Sequence, residues 1–259
     1  FEIKTFILVL LCMVLARNAA MGFNRYIDRG YDIKNPRTNM REVPKGIIRP
    51  LSVLVFVIIN VIAFSTAAFF INPLCFYLSP VAMLVVLGYS LTKRFTFLCH
   101  LILGLGLSLA PIGAYIAVTG QFAWIPLLYS FAVLFWVAGF DIFYAMQDID
   151  FDKANNLKSI PVSIGITNSL IVSGIFHFIS SIILVFAGIQ VGFGFFYWVG
   201  SLIFIALLFY EHIIVKPSDL SRINRAFATL NGLASLIFGL LVIVELLYDI
   251  HYHLAIFIY

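Results

Sequence analysis

The sequence predicts an all-α integral membrane protein, one domain over 1–259, built from apolar helices that cross the bilayer. Three observations carry this. The chain is 63% hydrophobic and only 11% charged, where a soluble domain carries about 25% charged residues. Its apolar segments are long enough to span, since a bilayer core takes about 20 apolar residues per helix. Its basic residues crowd into alternate loops, the asymmetry that orients membrane helices.

Eight spanning segments follow in order, at about 3–23, 48–70, 73–91, 96–118, 121–143, 166–188, 191–211 and 227–248. The first opens into a loop that holds Arg25, Arg29, Lys34, Arg37, Arg41, Lys45 and Arg49. The second and third are joined near 71–72 with no basic residue, and Lys93 and Arg94 follow the third. The fourth contains Gly104, Gly106 and Gly113, which permit close helix packing, and Pro111, which can kink it. A neutral turn near 119–120 leads to the fifth, and Lys153 and Lys158 come after it. The sixth carries His177, read as a packing residue. Lys216, Arg222 and Arg225 follow the seventh, and His251 and His253 flank the last, where they read as interfacial. Fourteen of the 16 Lys and Arg thus share one side, which the positive-inside rule makes cytoplasmic.

With eight helices the first would begin on the outer side, where only Lys4 is basic. One more helix ahead of Phe1 would repair this, so nine are expected in the full protein. Cys12, Cys75 and Cys99 have neither pairing nor metal spacing and read as small apolar residues. The 27 Phe and 12 Tyr read as lipid-facing bulk and interfacial belts. Nothing reads as nucleic-acid binding.

The chemistry gathers in Asp141-Ile-Phe-Tyr144-Ala-Met-Gln-Asp148-Ile-Asp150-Phe-Asp152, directly after the apolar fifth segment. A charge near a bilayer core costs about 2.5–3.5 kcal/mol even on the lenient insertion scale. At about 100° per residue, Asp141, Tyr144, Asp148 and Asp152 share one helix face. Like charges this close repel unless a cation sits between them. Oxygen-only clusters suit Mg2+, which takes one or two carboxylates and leaves positions for phosphate. An echo stands earlier in the chain: Asp28 aligns with Asp148 and Asp32 with Asp152. With one residue inserted, Asn35, Arg37 and Thr38 align with Asn156, Lys158 and Ser159. Carboxylates, Mg2+ and a basic rim imply a diphosphate ligand, and the apolar helices around it imply a prenyl tail. Ionising an allylic C–O bond loads charge on the leaving group, which cations stabilise most in the transition state. A water-poor pocket then protects the carbocation, and aromatic faces can stabilise it.

The spacing Asn24-x3-Asp28-x3-Asp32, followed by Arg37-Thr38-x2-Arg41, resembles the first signature of the UbiA superfamily of intramembrane prenyltransferases. Asp141-x2-Tyr144-x3-Asp148-x3-Asp152 with Lys158-Ser159 resembles the second, and Tyr89-Ser-x2-Lys93-Arg94 the segment between them. The resemblance covers nearly the whole chain. It implies a UbiA-like ring of nine transmembrane helices around a central cavity, cytoplasmic Asp motifs and Mg2+ dependence. The part around Gly139 to Asp148 looks most like 4-hydroxybenzoate polyprenyltransferases. Arg37-Thr38-x2-Arg41-Glu42-Val43-Pro44 resembles a branch of ubiquinone or menaquinone synthesis, although Glu42 stands where many members have Pro. The implied partners are a polyprenyl diphosphate, a small aromatic acceptor and the lipid bilayer, in a bacterial inner membrane.

By the same resemblance Asp28, Asp32, Asp148 and Asp152 are the metal-binding carboxylates. Asn24 opens the first motif, and Asp141 and Tyr144 head the second, where they orient neighbours. Lys93, Arg94, Arg37 and Lys158 are the diphosphate-side cations. Arg17, seven residues before Asn24 on the same face, is the candidate clamp for an acceptor carboxylate. Asp150 reads as solvated, and Asp219, Glu245 and Asp249 lack partners at motif spacing. A transporter or channel is the reading from another class, since intramembrane carboxylates also mark ion paths. These acids sit at one rim, however, and midplane acids are nearly absent. A CDP-alcohol phosphotransferase would need an Asp-Gly-x2-Ala-Arg opening, which the chain lacks.

Overall fold

Prolines and short polar side chains mark where the helices begin. The computed structural model describes residues 2–258, the side chains of 227 and 249–258 excepted. Asp249, His251 and His253 therefore fall outside the described side chains. Helix α1 (Ile3–Ile27) leads into the short α2 (Arg29–Asp32). Helices α3 (Pro50–Ile71) and α4 (Pro73–Thr92) each start on a proline, whose missing N–H is no loss in a first turn. Asn72 caps α4 by accepting from the Cys75 N–H at 2.8 Å. Its amide also donates to the Ile116 carbonyl of α5 (Cys99–Thr119) at 2.9 Å. Helix α6 (Trp124–Ala145) continues through a 3-10 turn, Met146–Asp148, into α7 (Ile149–Ala154). Helix α8 (Ile160–Val191), α9 (Phe195–Ile214), a π-helical turn Arg225–Leu230 and α10 (Asn231–Ile258) follow. There is no β-strand among the described residues.

Eight of these helices are long and apolar enough to cross a membrane, one for each segment read from hydropathy. The largest difference in where a helix starts is at α8, which begins at Ile160 rather than 166. Gly165 explains it. Its φ of 78° and ψ of 172° break the helix, a conformation essentially confined to glycine. The spanning part therefore begins just after Gly165, where the apolar run begins. The turn before it is capped by Ser159, whose hydroxyl accepts from the Val162 N–H at 3.3 Å.

Helices adjacent in sequence are adjacent in space, from α1 on α3 through α5 on α6, α6 on α8 and α9 on α10, and α1 reaches back to α4 and α5. Of the three glycines read as packing points in α5, only Gly104 is one. A Cβ there would stand 2.4 Å from the Leu134 carbonyl oxygen of α6, whereas Gly106 has ordinary room and Gly113 faces open space. We therefore expect Gly104→Ala to push α5 from α6 and cost about 1–3 kcal/mol. Thermal unfolding in detergent should show a lowered midpoint for Gly104→Ala and none for Gly113→Ala. Pro111 lies inside α5 and has no N–H to give, and the next N–H, of Ile112, reaches the Ser130 hydroxyl of α6 at 3.2 Å.

Glu245 has partners after all. Its carboxylate accepts the N–H groups of Gly194, Phe196 and Tyr197 at 2.7, 2.8 and 3.2 Å. A buried carboxylate at the start of α9 is stabilised by those donors and by the positive end of the helix. The α6–α7 junction is anchored on its buried side. Ile142, Phe143, Met146 and Ile149 pack with Ile214, Val215 and Ile223. With that face in the core, the other face presents Asp141, Tyr144, Asp148 and Asp152 to a cavity.

Candidate active site

The end of α1 shapes the first motif. The helix stops at Asp28, and the chain turns back into helix as α2, so Asp28 and Asp32 remain one turn apart. Asn24, in the last turn of α1, donates to Asp28 Oδ2 at 2.8 Å. The second motif runs across the 3-10 turn, where Asp148 ends the turn and Asp152 lies in α7. The two motifs line one cavity of about 240 Å³, together with residues of α4 and α5. Asn24, Asp28, Asp32, Arg37, Lys93, Arg94, Asp141, Tyr144, Asp148 and Asp152 all face it.

Asp28, Asp32, Asp148 and Asp152 each have an Arg or Lys partner. Arg94 donates to Asp28 Oδ1 at 3.1 Å and to the Ile27 carbonyl at 3.0 Å. Arg41 grips both oxygens of Asp32 at 2.9 and 3.0 Å. Lys93 reaches Asp152 Oδ2 at 3.0 Å. Arg37 forks onto Asp148, with Nε on Oδ1 at 3.0 Å and a second, shorter contact to Oδ2. Its remaining nitrogen donates to the Tyr144 hydroxyl, and Asn35 adds a bond to Asp148 Oδ1 at 3.1 Å. The loop of the first motif thus braces the carboxylates of the second. Bidentate guanidinium–carboxylate pairs are the strong and geometrically specific kind.

The electrostatics are those of a site built for a charged ligand. Burial pushes the Asp28 carboxyl above its usual range, although Arg94 opposes the shift. Burial also works against the Lys93 ammonium, but the Asp152 carboxylate outweighs it and the Lys93 pKa is raised. The donors fit Mg2+: two pairs of carboxylates, oxygen only, each pair one helical turn long. Among the described residues no three His, Cys, Asp or Glu side chains converge on one point.

Two residues marked in the sequence lie elsewhere. Arg17 is exposed on α1 and does not line the cavity. It shares a face with Asn24, but seven residues carry it about 10 Å along the helix, and the cavity sits at the helix end. Lys158 does not enter either. Its Nζ donates to the Phe95 carbonyl at 3.1 Å and its N–H to the Lys93 carbonyl at 2.7 Å, pinning the loop that carries Lys93 and Arg94. The internal echo therefore holds for the carboxylates and breaks at Lys158. Cys99, read as a small apolar residue, lines the cavity. Asn35, Arg41 and His100 received no role in the sequence reading. Arg41 was within reach, nine residues after Asp32 in the same motif. His100 meets Asp141 from another helix, Nδ1 to Oδ2 at 2.6 Å, and no spacing announces that.

The profile of the UbiA prenyltransferase family matches residues 1–243. The chain belongs to this family. It is thus a prenyltransferase and a multi-pass integral membrane protein. Among the UbiA family's members, the 4-hydroxybenzoate octaprenyltransferase of Alkalilimnicola ehrlichii is 30% identical over 251 residues, 96% of this chain and 83% of the relative. That of Saccharophagus degradans is 31% identical over 241 residues, covering 91% and 79%. An apo UbiA homologue from Aeropyrum pernix superposes with a TM-score of 0.88 at 28% identity, covering 95% of this chain and 91% of the other. A UbiA homologue from Archaeoglobus fulgidus, bound to DMAPP and Mg2+, shares the fold with a TM-score of 0.69 at 21% identity, covering 92% and 88%.

Proposed function

We propose that this protein transfers a polyprenyl chain from polyprenyl diphosphate to an aromatic acid, 4-hydroxybenzoate or a dihydroxynaphthoate, in ubiquinone or menaquinone synthesis. The observation that carries the reading is the meeting of both Asp motifs with Arg37, Arg41, Lys93 and Arg94 in one cavity. Asp28 with Asp32, and Asp148 with Asp152, would hold Mg2+, which when bound neutralises diphosphate oxygens and makes a better leaving group. Lys93, Arg94, Arg37 and Arg41 stand where they can exchange a carboxylate partner for a diphosphate oxygen. That exchange places fixed positive charge where negative charge grows as the allylic C–O bond breaks. Tyr31, Tyr89 and Tyr144 line the same cavity, and their ring faces can stabilise an allylic cation. The names of the relatives from Alkalilimnicola and Saccharophagus support an aromatic acceptor, and the ligands of the Archaeoglobus homologue support Mg2+ and a prenyl diphosphate. The basic loops around the cavity support a cytoplasmic active site in a bacterial inner membrane.

The test is an incubation of membranes carrying the protein with labelled polyprenyl diphosphate and a panel of acceptors, 4-hydroxybenzoate and 1,4-dihydroxy-6-naphthoate first. A lipid-soluble labelled product is expected with one aromatic acid. It should vanish when EDTA removes the divalent ions and return with added Mg2+. Transfer to a non-aromatic acceptor alone would overturn the aromatic assignment, and transfer unaffected by EDTA would overturn the metal.

A further inference from the structure

Five carboxylates line the cavity, and Asp141 is unlike the other four. Asp28, Asp32, Asp148 and Asp152 each stand in an ion pair with an Arg or Lys. Among the described residues no Arg or Lys is within ion-pair distance of Asp141, and its partner is the His100 imidazole. His100 is 0% exposed while the Asp141 side chain keeps 20% of its surface open. The second ring nitrogen of His100 sets the tautomer. The Ile160 N–H points at Nε2 at 3.4 Å, so Nε2 carries the lone pair and Nδ1 carries the hydrogen given to Asp141. The ring holds one carboxylate oxygen of Asp141 in place and leaves part of the carboxylate open. Asp141 also precedes Asp148 by seven residues and lies within α6, before the 3-10 turn that Asp148 ends.

We propose that His100 is a positioning residue for prenyl transfer, holding Asp141 so that this carboxylate takes the proton the acceptor ring loses. The inference rests on the aromatic acceptor proposed above. The allylic C–O bond breaks, and its electrons leave with the diphosphate. A pair of ring electrons forms the new carbon–carbon bond. The C–H bond at the alkylated ring carbon then breaks, its electrons restore the aromatic system, and the proton passes to the Asp141 oxygen that His100 does not hold. No further reactant is required.

The experiment compares wild type, His100→Leu, His100→Asn and Asp141→Asn in lipid nanodiscs, with 4-hydroxybenzoate that carries hydrogen or deuterium at the ring position to be alkylated. Wild-type turnover reports on the aromatic reading, and the ratio of each variant to wild type reports on the pair. His100→Leu keeps bulk but has no donor. Its kcat should fall about 100-fold, the usual scale of a general base, with an unchanged KM for polyprenyl diphosphate. A primary deuterium isotope effect, absent in wild type, should appear because proton loss becomes slow. His100→Asn places an amide N–H near the position of Nδ1 and should recover most of the rate and suppress the isotope effect. Asp141→Asn should be slower than His100→Leu. A fall in rate with no isotope effect and no recovery in His100→Asn would make His100 a packing residue and overturn the proposal. So would a wild-type rate in His100→Leu, or a raised diphosphate KM as its main defect.

Discussion

Asp148→Asn is expected to lower prenyl transfer about a thousandfold, with Asp28→Asn falling as far. Each change removes one negative charge and one oxygen ligand from a carboxylate pair, and leaves a basic partner without its counter-ion. Losing a group aimed at developing charge typically costs 10²–10³ in rate, and a weakened metal site adds to it. The side chains keep their size, so the helices should pack as before. Tm in detergent should therefore move by only a few degrees while turnover is nearly lost. The assay is product formation at saturating Mg2+ from both variants. Near-normal turnover in either would remove that motif from the metal site.

The second large effect is expected at Arg37, whose fork ties the first motif to Asp148. Arg37→Ala should lower kcat/KM about 100-fold, because it removes a cation from the cavity and leaves Asp148 with Asn35 as its remaining described hydrogen-bond donor. Arg37→Lys restores the charge but not the fork, and should recover only about tenfold of the loss. The sharper measurement is the double variant. If Arg37 works through Asp148, Arg37→Ala adds little to Asp148→Asn, since groups acting as a unit are not additive. If the two defects multiply, Arg37 acts on the diphosphate independently of Asp148. The guanidinium is about a third exposed, so its loss should cost more activity than stability.

Both predictions depend on partners from distant parts of the chain, and that is where sequence and structure divide. Hydropathy alone determined the fold class, the eight spanning helices and their order, because a helix in a bilayer must satisfy its backbone within itself and keep an apolar surface. Spacing alone determined that Asp28 and Asp32, and Asp148 and Asp152, form carboxylate pairs, because four residues make about one turn of helix. Such local rules act within a few residues, and a sequence displays them. The tertiary structure decided which cation serves which carboxylate: Arg94 for Asp28, Arg41 for Asp32, Arg37 for Asp148 and Lys93 for Asp152. It put Lys158 against the Phe95 carbonyl and Arg17 outside the cavity, and gave Glu245 the N–H groups at the start of α9. It also brought His100 to Asp141 across two helices. A helix face specifies direction but not depth, and depth depends on how far each helix slides against its neighbours. Packing sets that slide, through contacts such as Gly104 against the Leu134 carbonyl, and no local spacing encodes it.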